Sequence, residues 1–246
     1  MRLGASRIAC LKLDQESLCY VMDLDLIYCV VANACSSHFI VFVLVVSFFL
    51  LHQPTCPFVP TSLKFDCLYL GVVSHAQASS VDSLEEVVLT MLQRFKTLEP
   101  REHAVETGGK PNPKVPYKAV ILICPDVALA DAPVWIDRLQ RKLQPLFVAE
   151  NALMLGEFHK NNNSSGLHNE SFFPLRTPFP CLAMRNMVPS DIVFLNCPDY
   201  PLQTRIAMIQ RYLDTFCVAG KKDGKDVLKA QEMIQKLQRE NENVGV

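Results

Sequence analysis

From residue 56 onward the chain switches repeatedly between a two-residue and a 3.6-residue hydrophobic period, the mark of strands alternating with helices. Residues 65 to 74, FDCLYLGVVS, are rich in strand formers. Residues 83 to 98, SLEEVVLTMLQRFKTL, set Leu84, Val87, Val88, Met91, Leu92, Phe95 and Leu98 on one face behind a Ser83-x-x-Glu86 capping box, which predicts a helix. Residues 99 to 116 carry Gly108-Gly109 and prolines at 100, 111, 113 and 116, and read as a flexible connection. The continuous apolar run YKAVILICP, 117 to 125, predicts a central strand buried on both faces.

Asp131 followed by Pro133 opens a second helix through about Leu143, with Trp135, Leu139 and Leu143 spaced to pack inward. ALMLGEFH (152 to 159) and PCLAMRNM (180 to 187) read as a third and a fourth strand. Asp199 and Pro201 begin a long helix striped by Leu202, Ile206, Ile209, Leu213 and Phe216, with Gly220 past its end. The segment 226 to about 241 is polar with a thin Leu228, Ile234 and Leu237 line, which predicts a marginal surface helix. No internal repeat is visible. The expected fold class is α/β, with α+β as the alternative: a mixed central sheet of about four to five strands with helices packed on it, preceded by an N-terminal hydrophobic helix.

That leader is a different kind of sequence. Residues 27 to 51 contain no Asp, Glu, Lys or Arg and fifteen Val, Ile, Leu or Phe, long enough to cross ~30 Å of hydrocarbon. A transmembrane span is one reading; the other is that residues 1 to 51 are a non-native extension. A cleaved signal peptide fits less well, because the stretch before Ile27 is long and acidic as well as basic. Orientation is left open, since Arg2, Arg7 and Lys12 are offset by Asp14, Glu16, Asp23 and Asp25. The expected organisation is leader 1 to 51, globular domain 52 to 220 and polar C-terminal helix or tail 221 to 246. Localisation follows the leader: a single-pass membrane protein if the span is genuine, cytoplasmic otherwise.

Composition narrows the function classes. Half of the 246 residues are hydrophobic, which is enough for a substantial core and too much for a disordered chain. The 24 basic and 25 acidic residues nearly cancel, so no nucleic-acid footprint is present and no nucleic-acid partner is expected. Ten scattered cysteines without a CxxC pair argue against both a zinc ribbon and a disulfide framework. The absence of a Gly-rich phosphate loop, a GxSxG elbow and triad spacing removes kinase and hydrolase readings. Asn162, Asn163 and Asn169 each open an N-x-[ST] sequon, which matters only in a secretory lumen, and His103 reads as a solvated loop histidine.

Several motifs recur in order: CPFVP (56 to 60), GEFH (156 to 159), GLHNESFFPLRTPFPCLAMRNMVPSD (166 to 191) and the Phe194-Leu195 pair. Together they resemble an uncharacterised domain family, a domain of unknown function found mainly in microbial proteins, over roughly Cys56 to Leu213. In that family the domain begins just before Cys-Pro-Phe, which leaves residues 1 to 51 outside the resemblance. More remotely, the CPF start, α/β body and late arginine segment are similar to haem-dependent guanidine N-hydroxylases.

Three groups of residues carry candidate chemistry. In an extended 152 to 159, Glu157 and His159 project from one face and Gly156 and Phe158 from the other, and His168 lies across a polar loop able to fold back. Two histidines and a carboxylate suit non-haem iron or zinc; the alternative is a strand emerging at a solvated edge. Cys56 followed by Pro57 is a recurring arrangement at haem iron, against a reading in which Cys56 packs as a small hydrophobe and Pro57 and Pro60 fix the approach to the first strand. Arg176 and Arg185 would hold an anionic substrate group or haem propionates, unless Asp191 pairs with one of them. Cys67, Cys124, Cys181, Cys197 and Cys217 read as core. Two functions remain: a small haem- or iron-dependent oxidoreductase acting on a small polar metabolite, or a non-catalytic binding or accessory domain, with residues 27 to 51 as its membrane tether if the span is real.

Overall fold

The computed structural model describes residues 10–13, 58–101, 112–167, 169–217 and 224–244. The hydrophobic run 27 to 51, the Gly108-Gly109 segment with His103, Gly220, Cys56 and His168 lie outside the described residues. Among the described residues no helix is long and apolar enough to cross a membrane.

The fold is the expected mixed sheet with helices packed on it. Five strands, β1 (Cys10–Leu13), β2 (Leu68–Val72), β3 (Ala119–Ile123), β4 (Leu153–Phe158) and β5 (Cys181–Asn186), stand in the order β1-β2-β3-β5-β4. β1 runs antiparallel to β2, β2 parallel to β3, and β3 antiparallel to β5 with Ala119 opposite Arg185 and Ile123 opposite Cys181. Met187 N–H donates to Ala152 C=O, and Gly156 faces Ala183 O, so β4 runs opposite to β5. β2, β3 and β4 therefore end on one edge. β3 explains the apolar run AVILI: it has neighbours on both sides, and Val120, Ile121, Leu122 and Ile123 are all buried although successive side chains point to opposite faces, with only Ala119 half-buried.

The chain divides into two compact units, residues up to Gln140 with Gly156–Arg185, and Arg141–Leu155 with Asn186–Val246. In the first unit, helix α1 (Val59–Lys64) takes Pro60 in its first turn, where a missing N–H costs nothing. Helix α2 (Val81–Thr97) links β2 to β3. It starts a turn earlier than the sequence pattern predicts: Ser80 is the N-cap and exchanges hydrogen bonds with Ser83, whose N–H reaches Ser80 Oγ at 3.1 Å while Ser80 N–H reaches Ser83 Oγ at 2.9 Å. Ser and Ser satisfy this box, so the Ser83–Glu86 reading was one turn late. Leu84, Val87, Val88, Met91, Leu92 and Phe95 are buried as expected, at about 1.5–3 kcal/mol for each large side chain taken from water. Beyond the prediction, Lys118 is buried and its Nζ donates to Phe95 O at 3.0 Å and Leu98 O at 3.1 Å, closing carbonyls that the end of α2 leaves open.

A helical run begins at Pro133: a π turn (Pro133–Asp137), helix α3 (Arg138–Pro145) and a second π turn (Leu146–Glu150). Pro145 cannot donate to the preceding turn, and the ladder widens directly after it. Ala152, in the left-handed region at φ 54°, turns the chain into β4.

The second unit packs helix α4 (Leu202–Phe216) and helix α5 (Lys225–Val244) on a shared core with Met154, Met187, Ile192 and Leu195. The buried line of α4 centres on Met208, Ile209 and Tyr212, with Leu202, Ile206, Leu213 and Phe216 at its margins. Tyr212 OH donates to Pro189 O at 2.7 Å. α5 is more than a surface helix: Val227, Ala230, Ile234 and Leu237 are buried, whereas Leu228 is 49% exposed. Ala230 and Val227 complete a stripe that the polar composition hides.

Candidate functional site

The parallel pair β2 and β3 creates a hollow where both strands end. After β2, the loop folds on itself: Ser74 N–H and Oγ donate to Gln77 Oε1 at 2.9 and 3.1 Å, and Gln77 and Ala78 N–H donate to Ser74 O. After β3, Val127 N–H donates to Cys124 O, Asp131 and Ala132 N–H to Ala128 O, and Val134 and Trp135 N–H to Asp131 O. The two loops are tied by His75 N–H on Asp126 Oδ2 at 2.7 Å. Between them lies a pocket of about 200 Å³ lined by Val73, His75, Ala78, Leu84, Cys124, Asp126, Val127, Ala128, Asp131 and Trp135. Most of its wall is apolar, and the polar side-chain groups are two carboxylates, an imidazole, a thiol and the indole N–H of Trp135. Burial, then Cys181 and Asp126, push the Cys124 thiol far above its ordinary range, so it stays protonated and is not a nucleophile.

His159 follows β4 on the same edge, is fully buried, and donates its main-chain N–H to Leu175 O at 3.2 Å. Its Nε2 lies 2.9 and 3.1 Å from the two carboxylate oxygens of Asp137, which comes from the first π turn. In the neutral ring a carboxylate at Nε2 selects the tautomer with its proton there and leaves a lone pair at Nδ1. Nδ1 is buried and has no hydrogen-bond partner. The expected alternation holds on the opposite face of β4: a Cβ on Gly156 would lie 3.0 Å from the Phe158 ring. Glu157 is half-buried.

The arginines separate along β5. Arg185 pairs in register with Ala119 at the start of β3, and its guanidinium lies 5.4 Å from the Phe58 ring centroid. Arg176 belongs to the loop at the other end of the strand. Its Nε donates to Asn162 O at 2.8 Å, Nη2 to Asn163 Oδ1 at 3.2 Å, and the guanidinium stacks 3.8 Å from the Phe173 ring centroid. Arg176 thus clamps the 159 to 176 loop, whose Gly166 N–H also donates to Phe172 O at 2.7 Å. Asp191 is buried and accepts Val188 N–H at 2.8 Å. Among the described residues no three His, Cys, Asp or Glu side chains gather as a metal site requires. Sequence reasoning passed over His75, Asp126 and Asp137, and took Asp131 and Trp135 only as parts of a helix start. The one available signal was the position of His75 and Asp126 just beyond two apolar runs, where ligands of parallel sheets collect.

No curated protein and no solved structure matches the chain. The family model for DUF6875, a domain of unknown function, matches residues 52–226, and the chain belongs to that family.

Proposed function

We propose that this domain binds a small organic molecule in the pocket beyond β2 and β3. One observation carries the reading: a mostly apolar hollow at the carboxyl ends of adjacent parallel strands, into which separate loops bring His75, Asp126 and Asp131. Such a wall removes the apolar part of a ligand from water while a few polar groups fix its orientation. The volume suits a ligand smaller than a nucleotide. Trp135 is the chain's single tryptophan and lines the pocket, so its emission reports occupancy directly. Titrating small-metabolite mixtures should shift that emission, and Ala128→Phe, which fills the hollow from an exposed position, should abolish the response. A response unchanged by Ala128→Phe overturns the reading.

A second reading, an iron-dependent oxidoreductase, is favoured by His159. A carboxylate on one imidazole nitrogen with the other left bare is the usual support of a metal-ligating histidine. His159 fits one ligand position; Glu157 and His168, or Cys56 for haem, would have to supply the rest, with Arg176 or Arg185 holding the substrate. Iron or haem would supply the redox chemistry. Absence of both stoichiometric iron and a Soret band from full-length protein made with iron and haem precursor removes this reading, and a Soret band or bound iron lost in His159→Ala supports it.

A further inference from the structure

We infer that the pocket beyond β2 and β3 selects a small organic cation, an inference that rests on the binding reading above. Its charged and titratable wall groups are His75, Asp126, Asp131 and the protonated Cys124 thiol. Among the described residues neither carboxylate is paired with a basic side chain: Asp126 accepts a main-chain N–H, from His75, and no side-chain hydrogen bond or ion pair there involves Asp131. Parallel α/β sheets commonly bind anions at this edge through free loop and helix N-terminal amides. Here part of that donor set is already used. Ser74 N–H goes to Gln77, His75 N–H to Asp126, Ser83 N–H to Ser80, and Val134 and Trp135 N–H to Asp131 O, while Pro133 has none to offer. The Asp126 carboxylate stands where an incoming anion would find its donor. An ammonium group instead meets the Asp131 carboxylate and the electron-rich Trp135 indole, with the apolar wall left for its hydrocarbon part.

Three probes of one shape test the charge: 2-phenylethylammonium, 2-phenylethanol and 3-phenylpropionate, each titrated against Trp135 emission in the full chain. The ammonium should bind at least about fivefold more tightly than the alcohol, a factor worth about 1 kcal/mol, and the carboxylate more weakly than both. The preference should shrink at high salt, because both carboxylates are solvent-exposed. Asp131→Asn should cut the ammonium's advantage over the alcohol and leave the alcohol's affinity unchanged. Equal or tighter binding of the alcohol or carboxylate overturns the cation inference and leaves the binding reading standing. No response to any of the three, in protein whose Trp135 emission shows it folded, overturns both.

Discussion

The main-chain N–H of His75 ends on the Asp126 carboxylate at 2.7 Å, joining loops 51 residues apart. The bond makes the two ends of β2 and β3 one wall, and it holds the exposed carboxylate at the pocket. Asp126→Ala should therefore loosen the wall more than it destabilises the fold. The expected cost is about 1 kcal/mol, because the acceptor is charged but exposed. Amide exchange at His75 should accelerate severalfold while amides in β3 keep their protection. Unchanged exchange at His75 would show that the tie does not hold the loop.

Lys118 makes a stronger claim on stability. Its buried Nζ reaches Phe95 O and Leu98 O and lies 4.5 Å from the Phe95 ring centroid. Lys118→Met keeps the stem and removes the donor, stranding two carbonyls at the negative end of α2. A loss of about 2 kcal/mol is expected, read as a lower urea midpoint at unchanged slope.

Asp137 is the hydrogen-bonding partner of the His159 ring. Asp137→Ala leaves both nitrogens of a fully buried ring without a protein partner, at a cost of about 2 kcal/mol. His159→Leu in the same background should recover part of that loss, since an apolar side chain has no polar atoms to strand. Failure of the double variant to recover stability would place the cost in packing rather than in the pair.

Ala152 holds φ 54°, where an L side chain crowds its own carbonyl. Ala152→Gly relieves that strain against a smaller gain of freedom in the unfolded chain. A net stabilisation of about 0.5–1 kcal/mol is expected in denaturant titration.

The alkaline limb of stability has identified sources. Burial, then Asp226 and Asp191, push Tyr212 up from 10.0 to about 12, and burial pushes Cys181 up from 9.0 to about 12. Both groups hold their proton more firmly folded than unfolded, so their contribution is complete below the unfolded values and is lost as pH rises toward 12. Stability should be flat with respect to these groups up to about pH 9 and fall above it. Tyr212→Phe should flatten the part of that fall between pH 10 and 12 while lowering stability at neutral pH through the lost bond to Pro189 O. An alkaline profile identical to the parent's would remove Tyr212 from the account.

The periodicity of the chain was enough to place all four strands from 65 onward and the principal helices, because burial of one face leaves a local record in side-chain spacing. AVILI is apolar throughout since both its faces are covered, and α2 shows its six buried positions at helical intervals. Small residues weaken that record, which is why Ala230 escaped notice and Leu228 was set on the wrong face of α5.

The candidate site left no such record. His75 and Asp126 sit in loops, where polar residues follow no period, and only the parallel pairing of β2 with β3 makes them neighbours. The spacing of β4 put His159 at the end of a strand, but Asp137 as its partner and the burial of its ring come from packing across 22 residues of sequence. Arg176 and Arg185 look paired in sequence and stand at opposite ends of β5, because antiparallel pairing with β3 fixes which end each one reaches. Spacing along the chain therefore determined the elements, through the free energy of covering one face of each. The pocket was decided by strand order and direction, since groups distant in sequence become one site only when the sheet brings their loops to a common edge.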